Sequence, residues 1–365
     1  MAILKILATL AILIIAVRWL ISLFNLITGQ PSYAKVKNNK GEVSVLVPAR
    51  NEATSLPRLL RSLVQCDSTI GEILVYNDLS EDETASMVNL WSTYDSRIRL
   101  IEGDKFPEGW TGKNYACYRL GQEAKGNYLL FLDADVQVSQ NAIEIALSRV
   151  KKDRLVLFSF FPKQEMHTLG EWVLVSQVNI ILCSLLPMAI SRFIPISLLV
   201  AANGQFMMFG KKTYQEHQFH EKMRKIPIED VAIAQYIKKN GLNLRTALAP
   251  EGLRCRMYNN YREALNGLSR SARFFFGGSI VFGWIYVLFS LFGWIPVLIA
   301  FPAQCLITYF ALLFTMRIFV SAASKQSVIK NIILLPLQQL GLFHLFLTAT
   351  KQLITGKTTW KGRAI

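Results

Sequence analysis

Asp133-Ala134-Asp135 follows directly on the apolar run Tyr128–Leu132. Two carboxylates two positions apart on an extended loop can serve one hard divalent cation and a nearby sugar hydroxyl. Such a cation keeps several waters and takes diphosphate oxygens from a substrate. By itself the Asp-x-Asp spacing is common on solvated loops. A second polar stretch, Asn77-Asp78-Leu79-Ser80-Glu81-Asp82-Glu83-Thr84, follows the run Glu72–Tyr76. Asp78 can accept the imide N–H of uracil or the ring N–H groups of guanine, and Ser80 and Asp82 suit helix caps. A third is Val45-Leu46-Val47-Pro48-Ala49-Arg50-Asn51-Glu52. An apolar strand breaking into Pro and polar residues makes a sharp turn whose backbone can hold a base or ribose, although Glu52 equally suits a helix N-terminus. Glu229-Asp230, in Pro-Ile-Glu-Asp-Val-Ala, stands at a helix start. A carboxylate there is either a general base or a plain dipole partner.

The elements that must position these groups alternate. Val43–Val47, Glu72–Tyr76, Ile98–Glu102, Tyr128–Leu132 and Leu155–Phe161 read as strands; Leu56–Val64, Glu83–Tyr94, Lys113–Ala124 and Ala142–Val150 read as helices. This βαβα order predicts an α/β fold, a doubly wound, mostly parallel sheet with helices on both faces. Ligands of such sheets sit beyond the carboxyl ends of the strands, where Pro48, Asp78 and Asp133 all fall. Further along, Phe206–Phe209 and Leu242–Leu248 read as strands and Glu229–Asn240 as a helix.

The flanks are different. The chain has 365 residues, 52% of them hydrophobic. Residues 6–34 contain one charge, Arg18, and Phe274 to Met316 contain none. Both stretches exceed the ~20 apolar residues that span a bilayer, which excludes an ordinary soluble protein. No small-x-small cleavage site closes the first run, so it is expected to stay as an anchor. Spans are predicted near Ile280–Ala300 and Gln304–Ala323. The segment Ile332–Thr350, diluted by Pro336, Gln338, Gln339 and His344, is expected to lie at the interface or re-enter. Trp172–Val200 is apolar but broken by Pro187, Arg192 and Pro195, which predicts a membrane-interface insertion, and Tyr261–Phe275 is a basic amphipathic helix. The expected domains are an anchor over 1–34, a catalytic domain over 35–273 with the insertion near 172–200, and C-terminal transmembrane or interfacial helices with a basic tail over 274–365.

Lys and Arg total 40 against 25 Asp and Glu, a net charge of +15. Next to membrane spans this reads as a cytoplasmic, headgroup-facing bias, and no zinc-finger or aromatic-basic motif points to nucleic acid. Lys35, Lys37 and Lys40 follow the first span while only Lys5 precedes it. The expected location is the plasma membrane, multi-pass, with the catalytic domain in the cytoplasm. Lys357, Lys361 and Arg363 place the tail on the same side. The five scattered cysteines suit a reducing compartment.

Taken in order, Pro48-Ala49-Arg50-Asn51-Glu52, Asn77-Asp78-x-Ser80-x-Asp82-x-Thr84, Gly112-Lys113, Asp133-x-Asp135 and Glu229-Asp230 resemble the family 2 glycosyltransferases of the GT-A fold, over about Val43 to Arg273. With the flanking spans and the tail Trp360-Lys361-Gly362-Arg363, the chain looks most like the membrane-bound, lipid-modifying branch that includes bacterial carotenoid glycosyltransferases. The resemblance implies that Asp78 holds the nucleotide base and that Pro48, Ala49, Arg50 and Glu52 line the nucleotide pocket. It further implies that Lys113 lies near the diphosphate, that Asp133 and Asp135 bind ribose and Mg²⁺ or Mn²⁺, and that Asp230 is the general base.

It implies transfer of one sugar, by inverting displacement, from a nucleotide-diphosphate sugar, expected to be a UDP-sugar, to a lipid: a carotenoid, a polyprenyl phosphate or another lipid. There are two departures. The Gln-x-x-Arg-Trp motif of processive polysaccharide synthases, the rival enzymes, is missing, with Asn266-Gly-Leu-Ser-Arg270 in roughly its place, which favours transfer of one sugar over polymer synthesis. Asn77 stands where many relatives have Asp. An inactive membrane scaffold is the rival of another class, opposed by the presence of every expected carboxylate.

Overall fold

The computed structural model describes residues 1–29, 31–33, 39–66, 69–190, 193, 196–356, 359–360 and 363–364. Lys35, Lys37, Arg192, Pro195, Lys357, Lys361 and Gly362 lie outside the described residues, and Trp360 and Arg363 are described in backbone only. The chain divides into two compact units. One comprises 30–163, 189–256 and 359–365, the other 1–29, 164–188 and 257–358.

The first unit is built on a seven-stranded sheet: β1 (Val43–Ala49), β2 (Ile70–Asn77), β3 (Ile98–Glu102), β4 (Tyr128–Leu132), β5 (Leu157–Phe161), β6 (Phe206–Gly210) and β7 (Leu244–Leu248), in the order β3-β2-β1-β4-β6-β5-β7. β1 pairs in parallel with β2 and β4, β2 with β3, and β5 with β7; β6 runs antiparallel to both β4 and β5. β4 and β5 are buried along almost their whole length, as strands covered on both faces must be, which is why they read as continuous apolar runs rather than alternations. Against one face pack Ala116 and Leu120 of the helix Gly112–Glu123 and Ile233 and Ile237 of the helix Glu229–Lys239, meeting Leu46, Leu74, Phe131, Met207 and Phe209 from the strands. Each fully buried large side chain of this kind stabilises the unit by roughly 1.5–3 kcal/mol.

Register decides what reaches the edge of the sheet. Ala49 lies level with Asn77 and Asn77 with Glu102, so Arg50 and Asp78 leave the sheet side by side. Because β6 is antiparallel, its first residue Phe206 pairs with Leu132, the last of β4. The loop before β6 therefore opens beside Asp133. The polypeptide also returns to this unit at its end, where Thr359–Trp360 pairs antiparallel with Arg363–Ala364.

The second unit is helical: Ala2–Thr28, Leu169–Leu185, Tyr261–Ser271 continuing as a 3-10 turn to Phe276, Ile280–Phe292, Trp294–Ala300, Ala303–Ala323, Val328–Ile333 and Leu335–Thr355. Two of these, Ala2–Thr28 and Ala303–Ala323, are long and apolar enough to cross a membrane. They pack on each other through Ala8, Ala11 and Ile15 against Tyr309, Leu313 and Met316, small residues letting helices approach closely. Their outer faces stay apolar: Leu13, Leu20, Ile307 and Phe314 are exposed.

The continuous span expected at Ile280–Ala300 is interrupted. The helix ends at Phe292 and resumes at Trp294. At Gly293 a Cβ would approach the Tyr309 hydroxyl to 3.1 Å, and Pro296 sits in the first turn of the next helix, where its missing N–H leaves no bond unmade. Tyr261–Phe276 and Ile280–Phe292 meet at 99°. Gly277 and Gly278, with φ of 66° and 87°, make that corner, a conformation that side chains with a Cβ resist.

Candidate active site

At the carboxyl edge of the sheet, the loops after β1 and β2 are laced together. The Asp78 amide donates to the Ala49 carbonyl at 2.8 Å. Arg50 is buried, and one Nη donates to the carbonyls of both Asp78 and Leu79 at 2.8 Å, while the other reaches Glu81 at 3.4 Å. The amide of Asn51 donates to Ser80 Oγ at 3.0 Å, that of Glu52 to Thr84 Oγ1 at 2.9 Å, and that of Ala53 to Asp82 at 3.1 Å. Three donated amides, including Thr84's own, and the Thr84 hydroxyl hold the Asp82 carboxyl below its usual range although burial works the other way. Asn51 and Leu79 take left-handed φ values of 52° and 51°, a strained conformation for Leu that the lacing holds in place. Pro48, Ala49, Arg50, Glu52 and Asp78 thus form one braced rim, in which the Arg50 guanidinium is spent on backbone carbonyls.

Next to this rim is an acidic cluster around one lysine. Lys113 Nζ lies 2.9 Å from Asp133 Oδ1 and 3.0 Å from Glu229 Oε1. The lysine is in the first turn of the helix Gly112–Glu123, whose Thr111 cap accepts from the Asn114 amide. Asn114 in turn donates to the carbonyls of Met223 (2.7 Å) and Ile226 (3.0 Å), which draws the approach to Glu229 against the same helix. A lysine at a helix N-terminus opposes the dipole; two carboxylates offset this. Burial acts to lower the Lys113 pKa, but Asp133 and Glu229 outweigh it and hold the ammonium well above the ordinary lysine value.

Asp230 Oδ2 accepts from the Gly204 amide at 2.8 Å and Oδ1 from its own neighbour Val231 at 2.8 Å. Burial raises the carboxyls of both Asp230 and Glu229 above their usual range, with Lys113 pulling each back. Asp135 is pushed up to about 7, first by burial and then by the charge of Asp133, with Glu52 adding to it and a hydrogen bond from Cys255 opposing it. Buried Oδ1 of Asp135 has no hydrogen-bond partner. An orphaned carboxylate oxygen beside a second carboxylate is a hard-oxygen donor set that fits Mg²⁺ or Mn²⁺. Among the described residues no three metal-ligating side chains converge, so the remaining positions on such an ion would fall to substrate oxygens and water.

The structure therefore brings Glu52, Lys113, Asp133, Asp135, Glu229 and Asp230 together, with Pro48, Ala49, Arg50 and Asp78 on the rim. Two contributors escaped the sequence reading. Asn203-Gly204-Gln205 stands at the opening of β6. Its Asn203 amide donates to Ser159 Oγ at 2.8 Å, and a Cβ on Gly204 would come within 3.0 Å of Lys113 Nζ. Cys255, fixed by pairing of Arg254–Cys255 with Val136–Gln137, accepts from Gln205 Nε2 at 2.9 Å. The polar break between Val200 and Phe206 was the available sign of the first; a lone cysteine among five gave none of the second.

Known proteins are similar to this chain. Residues 44–223 match Glycosyl transferase family 2. The 4,4'-diaponeurosporenoate glycosyltransferase of Staphylococcus haemolyticus is 35% identical over 113 residues, 30% of this chain and 29% of that protein. The Staphylococcus aureus protein of the same name is 32% identical over 118 residues, 32% of this chain and 30% of its own. The similarity thus spans about a third of either chain or less. In structure, a mannosyltransferase from Pyrobaculum calidifontis, solved in complex with GDP-Man and Mn²⁺, superimposes with a TM-score of 0.58 at 15% identity, covering 96% of this chain and 99% of that one. Sheet order and the match over residues 44–223 make the sheet unit similar to a family 2 glycosyltransferase domain of the GT-A fold.

Proposed function

We propose that this protein is a membrane-integral glycosyltransferase that moves one sugar from a nucleotide-diphosphate sugar to a lipid. The observation that carries the reading is the partly buried group Lys113, Asp133, Asp135, Glu229 and Asp230 at the carboxyl edge of the sheet, in a chain with two helices of membrane-crossing length. Asp78 and the braced rim hold the base, with a UDP-sugar as the expected donor. Lys113 faces the diphosphate. Asp133 and Asp135 hold Mg²⁺ or Mn²⁺, which when bound supplies positive charge to the departing diphosphate.

Asp230, fixed by the Gly204 amide and lifted in pKa by burial, takes the proton of an acceptor hydroxyl. The acceptor oxygen bonds to the anomeric carbon as the bond to the diphosphate breaks, inverting that centre and releasing the nucleoside diphosphate. A carboxylate acceptor, as the name of the staphylococcal relatives implies for those proteins, is already ionised; Asp230 then orients it. The +15 charge and the apolar helices suit a multi-pass plasma-membrane protein with this site in the cytoplasm.

The test uses the full chain in nanodiscs, a UDP-sugar, Mn²⁺ and total lipid extract, read by mass spectrometry. One lipid gaining one hexose is expected. Asp230→Asn is expected to lower turnover by roughly 10²–10⁴-fold while calorimetry still shows donor binding. A ladder of added sugars, or full turnover in Asp230→Asn, overturns the reading.

A further inference from the structure

The helical unit contains a second polar centre that glycosyl transfer does not use. Arg18 lies in the middle of the apolar helix Ala2–Thr28 and is 6% exposed. Its Nε donates to Ser184 Oγ at 3.2 Å, one Nη to Ser290 Oγ at 3.4 Å and the other to Tyr286 Oη at 2.8 Å, and its guanidinium stands 4.7 Å from the Tyr286 ring centre. Every partner is a hydroxyl, and Arg18 forms no ion pair. The segments that build this unit hold only three acidic residues, Glu165, Glu171 and Glu263. Glu171 accepts from the amides of His167 and Thr168, and Glu263 from Asn259 and Asn260.

The donors do not balance. A guanidinium has five N–H groups and Arg18 uses three. Ser184 donates its hydroxyl proton to the Ile180 carbonyl, but the hydroxyls of Tyr286 and Ser290, whose oxygens already accept from Arg18, donate to no acceptor among the described residues. Among the described residues, two N–H groups of Arg18 and the hydroxyl protons of Tyr286 and Ser290 are thus left without an acceptor beside a cation with no counterion. The same unit holds a second buried guanidinium, Arg317. It donates to the Asn331 carbonyl and to Gln338 Oε1, and its buried Nε has no partner. Charges inside a membrane unit are costly and pair with something; here nothing in the unit supplies the negative partner.

We infer that Arg18, Tyr286 and Ser290 form a binding site for the anionic head group of a membrane amphiphile, a phosphate ester or a carboxylic acid in its ionised form. The oxyanion accepts the spare N–H groups of Arg18 and the two hydroxyl protons. The inference stands apart from glycosyl transfer and holds whether or not that reading does.

The experiment is native mass spectrometry of the full chain released from detergent, titrated with phosphatidylglycerol or phosphatidylcholine. Wild type is expected to retain phosphatidylglycerol preferentially, and Arg18→Gln to lose that preference by about tenfold or more, the range for hydrogen bonds to a charged group. Tyr286→Phe and Ser290→Ala keep the cation and delete one donor each. They are expected to weaken retention severalfold, and they carry the test if Arg18→Gln does not fold. Addition of inorganic phosphate separates the sources: competition assigns the site to the bare anion, and its absence assigns it to head group and tails together. Equal retention of both lipids by wild type, or unchanged retention in all three variants, overturns the inference. Hydrolysis of the nucleotide-sugar donor in the same samples reports on the transferase domain separately and is expected to be unchanged in all three.

Discussion

Replacing Lys113 with Met removes the one cation that Asp133 and Glu229 share while keeping the stem that fills the space. At present an ammonium touches two carboxylates at 2.9 and 3.0 Å and pulls down the pKa of a third, Asp230. Removing one partner of a buried pair costs about 3–5 kcal/mol. Lys113 and Asp133 are 26% and 28% exposed, so the lower end, about 3 kcal/mol, is the expected loss near pH 8. For a unit of this size that lowers Tm by roughly 6–12 °C.

The sign with pH is fixed by linkage. Without Lys113 the carboxyls of Glu229 and Asp230, already raised by burial, rise further above their unfolded values. A group whose folded pKa is raised is stabilising below the unfolded pKa and loses that contribution as pH rises through the folded pKa. The variant therefore recovers relative to wild type as pH falls from 8 towards 5. Thermal unfolding of both proteins in the same detergent at pH 8 and pH 5.5 measures the gap. A variant within about 2 °C of wild type at pH 8, or a gap that does not narrow at pH 5.5, refutes the idea that Lys113 is the counterion of this cluster.

Three further outcomes follow from the same structure. Gly204→Ala places a methyl 3.0 Å from Lys113 Nζ and 3.5 Å from Asp230 Oδ2, so turnover should fall about tenfold with donor affinity changed less; equal kinetics would show that the loop before β6 gives way freely. Asp135→Asn removes a carboxylate whose Oδ1 bonds to nothing, so the Mn²⁺ dependence of turnover should disappear with activity while the melting temperature holds, and near-normal turnover in Mn²⁺ would dismiss it as a metal ligand. His220, buried against Phe131 and hydrogen-bonded to Tyr214, is held down to about 3 by burial. Its neutral form stabilises the fold above pH 6.5 and that contribution drains away as pH falls towards 3, about 2 kcal/mol by pH 5; His220→Leu should unfold with a flatter acid limb, and an unchanged limb would place the histidine in contact with water.

The parallel core was legible because the strands at Val43–Ala49, Ile70–Asn77 and Tyr128–Leu132 are short, largely apolar runs closing at Pro, Asn-Asp or Asp, and helices of readable spacing fall between them. Placement of Asp78 and Asp133 at strand ends followed from that alternation alone. Pairings across the chain were not legible. That Lys113 meets Glu229, and that Gly204 rather than a side chain holds Asp230, depend on the antiparallel turn of β6, and Phe206–Phe209 carries no mark of its direction. Hydropathy also overreached at Ile280–Ala300. It reports that a segment prefers an apolar neighbourhood, whereas the break at Gly293 falls where Pro296, three residues on, has no N–H to continue the helix. Conversely Gln338, read as a diluting residue of a weak span, is fully buried and bonded to Arg317, Asn331 and the Trp172 carbonyl.

The chain passes between its two units five times, with segments ending near residues 29, 163, 188, 256 and 358. On the ribosome this sets an order of events. β5 emerges before the helix Leu169–Leu185, but the strands that flank β5 on either side, β6 and β7, emerge after it. β5 and the free edge of β4 must therefore wait unpaired while an apolar helix settles against Ala2–Thr28, already made, and against Tyr261–Ser271 and Leu335–Thr355, which are made later. Such late, long-range pairing is slow and prone to association in the interval. Trimming the terminal helices to obtain a water-soluble enzyme would leave Leu169–Leu185 stranded in the middle of the remaining sequence. Isolating the sheet unit from the helical one requires excising that helix as well.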